Sequence, residues 1–221
     1  MVLENDDGKM YDVFLRPETM RDIDPTEFAD DAGAFIVPHA YSIVVAPESE
    51  DPDLRRGGKV IGSVSGWHLN GDGFFEQPLY KRYANALVEE ADAIHQDLSN
   101  IARCFYLNGV FEGTELCSGM TLDLFYLSSV KVASAWRGFS LGLLAAEVML
   151  RNHAVNTHII VQPADQEAKL FAYWASLGLE RFTEEGFTHL LFHNAEKKRQ
   201  PLFEIPSPLR RATAFRGYRS T

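Results

Sequence analysis

The sequence predicts an α/β (α+β) fold built on a mixed sheet, mostly antiparallel, with a parallel pair of strands at its centre. Three observations carry this. The first half of the chain reads as β-type runs separated by turns, the pattern of an antiparallel meander. The second half runs strand, helix, strand, helix, strand, an order that implies parallel pairing. Between them, "MTLDLFYLSSVKV" (Met120 to Val132) is a continuous aromatic and aliphatic run, as expected of a central strand buried on both faces.

Taken in order, "YDVFLRP" (Tyr11 to Pro17) and "AYSIVVAPE" (Ala40 to Glu48) are strands stopped by proline, and "GKVIGSVSGWHLNG" (Gly58 to Gly71) is a third. The segment between the first two is partly helical, interrupted at Pro25. From Pro78 the period changes. Leu79, Tyr83, Leu87, Ala91, Ile94, Leu98, Ile101 and Phe105 recur at spacings of three and four, which predicts one long amphipathic helix with proline at its start. Past the central strand, Leu141, Leu144, Ala145, Val148 and Met149 mark the apolar face of a helix, and His158 to Val161 is a short buried strand. Asp165 to Gly178 is a helix with an acidic first turn and Gly178 as its C-cap, and Phe187 to His193 is a closing strand. The remainder, with three prolines between Pro201 and Pro208, reads as an arm.

A chain of 221 residues with 46% hydrophobic and 24% charged residues fits one soluble globular domain. No apolar run approaches the ~20 residues of a membrane span, and "MVLENDDGKMYDVF" is acidic where a signal peptide would be basic and then apolar, so a cytoplasmic location with no membrane partner is expected. Cys104 and Cys117 have no metal-ligand or redox spacing and read as free thiols, and no metal site is suggested. A net charge of -10 speaks against general nucleic-acid binding and suits cationic partners. The basic tail, with Lys197, Lys198, Arg199, Arg210, Arg211, Arg216 and Arg219, is expected to fold back on its own domain or on a neighbouring subunit.

The chemistry concentrates at the junction between the central strand and the helix after it. A helix N-terminus presents free backbone N–H groups and the positive end of the helix dipole, which together favour a phosphate. In "RGFSLG" (Arg137 to Gly142), Gly138 and Gly142 allow a close backbone approach, Arg137 adds a fixed charge and Ser140 a hydroxyl donor. The ligand chemistry is that of a pyrophosphate. The signatures of P-loop and Rossmann sites do not occur.

This stretch resembles the main motif of the GCN5-related N-acetyltransferases (GNAT), V-x-P-x-x-R-G-x-G-x-G or A. In "VASAWRGFSLG", Val132, Arg137, Gly138 and Gly142 match, Ser134 replaces the proline and Ser140 the middle glycine. "AYWASLGL" (Ala172 to Leu179) resembles a second motif of the family, a helix ending in L-Y-E-K-L-G-F, with Trp174 at the aromatic position, and "GKVIGSVSG" looks like its third strand. The likeness covers about Tyr11 to His193 in the family's order. It implies a GNAT-like sheet with helices on both faces. It also implies acetyl-CoA, or another acyl-CoA, as co-substrate. Val130, Lys131 and Val132 would pair with the pantetheine, and Arg137, Gly138, Phe139, Ser140, Leu141, Gly142 and Leu143 would hold the pyrophosphate through backbone N–H groups. The asparagine that often precedes the second motif would have to be replaced by Asp165 or Gln166.

The activity implied is N-acyl transfer, typically acetyl transfer, to a primary amine by direct attack in a ternary complex. In many members a tyrosine at the second motif's aromatic position is the acid; an indole cannot fill that role at Trp174, and Tyr173 fills it if the alignment shifts by one residue. Asp123 and Tyr126, polar groups on an apolar strand, are candidates for the base, with His68 behind them. The acceptor expected from the resemblance is a small-molecule amine or a peptide. Residues 1–195 form the acyl-CoA-binding domain with a helical insertion at about 76–112, and 196–221 a basic C-terminal arm; the insertion or the arm could build a homodimer. The alternative reading is a non-catalytic acyl-CoA-binding or interaction module on the same fold.

Overall fold

The computed structural model describes residues 2–5, 10–18, 32–47, 58–76, 84–107, 121–163, 168–182, 189–201 and 211–215. Among the described residues nine strands form one sheet: β1 (Val2–Asn5), β2 (Met10–Pro17), β3 (Ile36–Pro47), β4 (Lys59–Leu69), β5 (Leu124–Val132), β6 (His158–Val161), β7 (Glu180–Arg181), β8 (Leu191–His193) and β9 (Arg211–Phe215). Their spatial order is β7-β8-β6-β5-β4-β3-β2-β1-β9. The run from β1 to β5 is an antiparallel meander, and β5 pairs with β6 in parallel, as the sequence predicts. A second parallel pair, β9 beside β1, has no precedent in the sequence reading; it puts five residues of the expected arm on the sheet edge.

The β-branched and aromatic content of β3, β4 and β5 fits their interior place. β3 begins at Ile36, four residues before the expected start, and so includes Pro38. β2 reaches only as far as Tyr41, so at Pro38 the strand has β4 alone as a neighbour and a missing N–H is tolerated there.

The helices are α1 (Gly71–Glu76), α2 (Ala84–Ile94), α3 (Gln96–Ala102), α4 (Leu141–His153) and α5 (Ala168–Ala175). They cover both faces. On one face α4 lays Leu141, Ala145, Ala146, Met149 and Leu150 against Ile43, Val64, Phe125, Leu127 and Ile159. On the other, Leu87, Val88 and Ala91 of α2 and Leu98 and Ile101 of α3 meet Leu69, Leu124, Tyr126 and Ile160. Full burial of each Leu, Ile, Val, Phe or Met side chain among these contributes about 1.5–3 kcal/mol. The inserted helices thus spend their apolar face on the chain's own sheet.

The expected single helix from Pro78 to Phe105 is a correction. Within the described part it is two helices, because His95 adopts an extended backbone (φ -163, ψ 132) and its side chain accepts the Asp97 N–H as an N-cap. The apolar spacing survives the break, which hides it from the sequence. A π-helical turn follows at Arg103–Leu107. Residues 77–83 and 108–120 of the expected insertion, Asp165, Gln166, Cys117 and most of the arm lie outside the described residues. Cys104 is a free thiol, and burial raises its pKa to about 12. Among the described residues no helix is long and apolar enough to cross a membrane.

Candidate functional site

β5 positions the site because its two edges end differently. On the β4 side it stays paired as far as Val132. On the other side, pairing with β6 covers only Leu124 to Leu127, opposite His158 to Val161. Among the described residues the edge of β5 turned toward β6 has no ladder partner beyond Leu127, which leaves main-chain groups of residues 128–131 open to an extended ligand, while the Val132 carbonyl is held by Arg137. The divergence coincides with a bulge. Ser65 pairs with Ser129 and Gly66 with Leu127, leaving Ser128 as the extra residue, tied by its hydroxyl to the Ser65 carbonyl at 3.1 Å.

After β5 the chain is redirected in eight residues. A 3-10 turn at Ser134–Trp136 buries Trp136, and the Arg137 Nε–H donates to the Val132 carbonyl at 3.0 Å, folding the guanidinium back over the strand end. Gly138 has φ 94 and open space where a Cβ would stand, so glycine is used there for its dihedral and leaves the loop accessible. Ser140, the residue in place of the family's middle glycine, takes the left-handed conformation itself (φ 57, ψ 18) and makes no side-chain cap bond. The N–H groups of the first turn of α4 therefore point out of the helix without the usual cap.

These elements enclose a cavity of about 480 Å³. Of the ten residues expected to bind the co-substrate, Val130, Lys131, Val132, Arg137, Gly138, Ser140, Leu141 and Gly142 line it. Phe139 and Leu143 instead turn their side chains to the core. Trp136, Leu170, Tyr173 and Trp174 complete the wall. Leu170 and Trp174 share a face of α5 at the i, i+4 spacing, a signal the sequence offers only once the helix is docked.

Tyr173 reaches furthest. Its ring meets Trp174 edge-on at 5.0 Å between centroids, and its hydroxyl stands over Gly142, 2.6 Å from where a Cβ on that glycine would lie. Burial raises the phenol pKa above its ordinary range, and the nearby backbone of Leu143 offsets this in part. The structure thus brings Tyr173 beside Trp174 in the same wall, where sequence alignment left the two as alternatives.

Asp123 and Tyr126 stand elsewhere. Tyr126 points to the opposite face, 3% exposed in the core with α2 and α3, and burial with the nearby Asp97 pushes its pKa up to about 12. Asp123 precedes β5. Its Oδ1 accepts the Asp72 N–H at 3.1 Å at the start of α1, and its Oδ2 lies 3.5 Å from His68 Nε2. Burial raises the Asp123 pKa, but the His68 contact and the backbone N–H groups of Asp72 and Gly71 outweigh it, so the net shift is downward. The carboxylate in an apolar strand therefore has partners.

His68 belongs to a cluster absent from the sequence reading. On the α4 face, His39 stacks on His153 (3.9 Å between centroids) and on Phe125 (5.8 Å), and the Tyr41 hydroxyl hydrogen-bonds His153 Nε2 at 2.5 Å. Residues from β3, β4 and α4 meet only in three dimensions, and no local motif announces them. Burial, then His153 and His68, lower the His39 pKa to about 4. By contrast His158, fully buried, accepts the Ala195 N–H at Nδ1 and reaches the Thr121 carbonyl through Nε2, a satisfied core histidine. Among the described residues no group of three or more His, Cys, Asp or Glu could hold a metal ion.

The start of the arm is anchored to α4 and to the turn after α5. Glu147 of α4, 1% exposed, is gripped by both terminal nitrogens of Arg199 (2.5 and 3.0 Å) and by Arg151 Nε at 2.6 Å, and Arg199 also donates to the Leu177 carbonyl at 2.7 Å. α5 ends at Ala175, so Gly178 (φ 79) lies three residues on, in the turn after the helix and not at its C-cap as expected, and residues 199–200 pass so close that a Cβ there would lie 2.9 Å from the Gln200 carbonyl. This part of the tail folds back on its own domain.

No protein-family model matches the sequence, and no curated protein matches it significantly. Among solved structures, the chain is similar to AtaTR bound with acetyl-CoA (12% identity, covering 84% of this chain and 94% of that one, TM-score 0.41). It is similar to a KacTA–DNA complex (14% identity, 72% and 69% covered, TM-score 0.39). A third is a mosquito arylalkylamine N-acetyltransferase like 5b (16% identity, 67% and 71% covered, TM-score 0.37).

Proposed function

We propose that the chain is an N-acyltransferase that moves an acyl group, in the first instance acetyl, from acyl-CoA to a primary amine by direct attack in a ternary complex. One observation carries the reading: the free edge of β5 beyond Leu127 leads into a cavity of about 480 Å³ closed by the uncapped N-terminus of α4. An extended arm with amides, joined to a diphosphate, is the ligand that uses both features. Residues 1–195 then form the acyl-CoA-binding domain, with the described helices of the insertion at about 76–112 packed on the opposite face of the sheet and 196–221 as the appended arm.

The Gly138–Leu143 backbone would hold the diphosphate, assisted by the charge of Arg137, and Val130 to Val132 would pair with the pantetheine. When bound, the co-substrate supplies the thioester whose carbonyl carbon the amine attacks. The end of the β5–β6 ladder supports a reaction centre near the Ser128 bulge, where β6 departs. Tyr173, kept protonated by its raised pKa, gives its phenolic proton to the departing thiolate. Trp174, with a weakly acidic indole, packs and excludes water.

His68, on the same face as Tyr173, pairs opposite Phe125, two residues short of Leu127, so it stands roughly 8 Å from the divergence point. One intervening water connects it to the ammonium proton, and Asp123 stabilises the imidazolium that results. Asp123 itself, four residues before Leu127 and roughly 13 Å away along the strand, acts through His68. Tyr126, on the other face, has no step. The net charge of -10 favours a cationic small-molecule amine or peptide as acceptor over nucleic acid, although one of the similar structures contains DNA.

The test is CoA release from acetyl-CoA in the presence of polyamines, amino acids, aminoglycosides and peptides, with the acylated amine identified by mass. Turnover with at least one amine is expected. Acetyl-CoA binding without consumption of any amine would leave a binding module, and no binding at millimolar concentration would end both readings.

A further inference from the structure

The α4 and α5 walls of the cavity are joined at two places. At the first, the Tyr173 hydroxyl stands over Gly142 and leaves no room for a side chain on that glycine. The second lies further along α4, roughly 7.5 Å on at 1.5 Å per residue, where the buried Glu147 meets Arg199. Arg199 comes from neither wall; it belongs to the start of the arm, just past the end of the family resemblance. Its Nη1 donates both to Glu147 Oε2 on α4 and to the carbonyl of Leu177 in the turn after α5, and its Nη2 donates to Glu147 Oε1. One guanidinium thus ties the two walls together.

The seat of α5 leans on that tie. None of its own residues is fully buried, so its position is set by partly buried side chains and by the turn that leaves it. That turn is hydrogen-bonded back to the helix, Leu177 N–H to the Trp174 carbonyl at 3.0 Å and Gly178 N–H to the Ala175 carbonyl at 2.9 Å. A hold on the Leu177 carbonyl is therefore passed to Trp174, which lines the cavity. The contact at Gly142 alone would let α5 pivot; a second point fixes its angle.

We propose that Arg199 is a positioning residue of the co-substrate site: by bridging Glu147 and the Leu177 carbonyl, it holds α5 at the spacing from α4 at which both helices touch one ligand. The inference rests on the acyl-CoA reading above and deepens it. It gives the start of the arm a task in binding, although no described residue of the arm lines the cavity. Arg151 supplies the control. Its Nε donates to Glu147 Oε1 at 2.6 Å from within α4, so it satisfies the same carboxylate without joining the two walls.

The experiment compares CoA binding by calorimetry, and unfolding in urea, for the wild-type chain, Arg199→Met and Arg151→Met. Each substitution keeps an apolar stem and takes one partner from the same buried carboxylate, so both are expected to lower stability. Only Arg199→Met breaks the bridge. It is expected to weaken CoA binding about 5- to 20-fold, the size of a coupling between linked elements, while Arg151→Met stays within about 2-fold of wild type. A merely structural arginine would lower stability and leave affinity unchanged. Wild-type affinity in Arg199→Met, or equal weakening in both variants, overturns the inference and leaves the acyl-CoA site standing. If the wild-type chain binds no CoA, the acyl-CoA reading falls and takes this inference with it. A further measurement covers an Arg199→Met chain that does not fold: in the wild type, saturating CoA must slow exchange of the Leu177 amide more than that of the β2 amides, because ligand and arginine hold the same wall. Equal slowing overturns the proposal.

Discussion

The hydroxyl of Tyr173 stands over Gly142 so closely that a methyl on that glycine would lie 2.6 Å from it. Two elements far apart in sequence, the first turn of α4 and the last turn of α5, therefore share one small space. That space is one wall of the cavity and the point where the chain's only freedom is the absence of a side chain.

Gly142→Val puts two methyl groups into this space, against Tyr173 and against Val130, whose Cγ1 would already lie 3.0 Å from a Cβ. Overpacking of this kind costs about 1–3 kcal/mol of stability. The loss in acetyl-CoA affinity should be larger, about 100-fold, because the strand and the loop can no longer close on one ligand. Calorimetry on the folded variant, checked by circular dichroism, reads it; unchanged affinity places the diphosphate elsewhere.

Ser140→Gly should stabilise the protein. Ser140 holds φ 57, a conformation that is costly for a residue with a Cβ and nearly free for glycine. Part of the gain is offset by the greater freedom of glycine in the unfolded chain, leaving about 0.5–1 kcal/mol. Urea unfolding measures it, and a lower midpoint contradicts the backbone assignment.

Arg199→Ala leaves Glu147, 1% exposed, with Arg151 alone. Removing one partner of a buried ion pair typically costs about 3–5 kcal/mol. Because Arg199 also ties the Leu177 carbonyl at the end of α5, the loss should appear as earlier unfolding in urea together with faster amide exchange around Leu177. A change within 0.5 kcal/mol would show the clamp to be dispensable.

How much of this was legible in the sequence differs by element. The meander, the parallel β5–β6 pair and the loop at Arg137 to Gly142 were readable because each is written in local pattern: alternation, a doubly buried run, glycines at a strand–helix junction. The break at His95 was not, because both helices keep one apolar phase across it and the capping nitrogen acts only once the backbone has turned. β7, two residues long, carries too little pattern to be seen. The assignment of Asp123 and Tyr126 to one catalytic group failed to anticipate that odd and even residues around β5 face opposite layers, which sends Tyr126 to the α2–α3 core. The cluster of His39, His68 and His153 is a product of strand register and could be found only by pairing β3 with β4 and laying α4 across them.

Acid should weaken the fold through that cluster. The pKa of His39 is about 4 when folded, lowered by burial and then by His153 and His68, against about 6.5 in the unfolded chain. The folded value is the lower one, so the unfolded chain binds the proton first. Stability is complete above about pH 6.5 and is lost as pH falls toward 4. His153, lowered by burial and His68, acts in the same direction, while Asp123 is the carboxylate that faces His68 and Tyr41 the hydroxyl that faces His153. Melting temperature should fall between pH 7 and 4, and His39→Gln should flatten the slope in that window. An equal slope in the variant would remove His39 from the account.

The most direct test of the central claim is a crystal structure of the protein with acetyl-CoA. The account predicts the diphosphate against the backbone N–H groups of residues 138–143 and the pantetheine paired to the free edge of β5 at 130–132. A complex with acetyl-CoA seated elsewhere, or crystals that take up none at millimolar concentration, would contradict it.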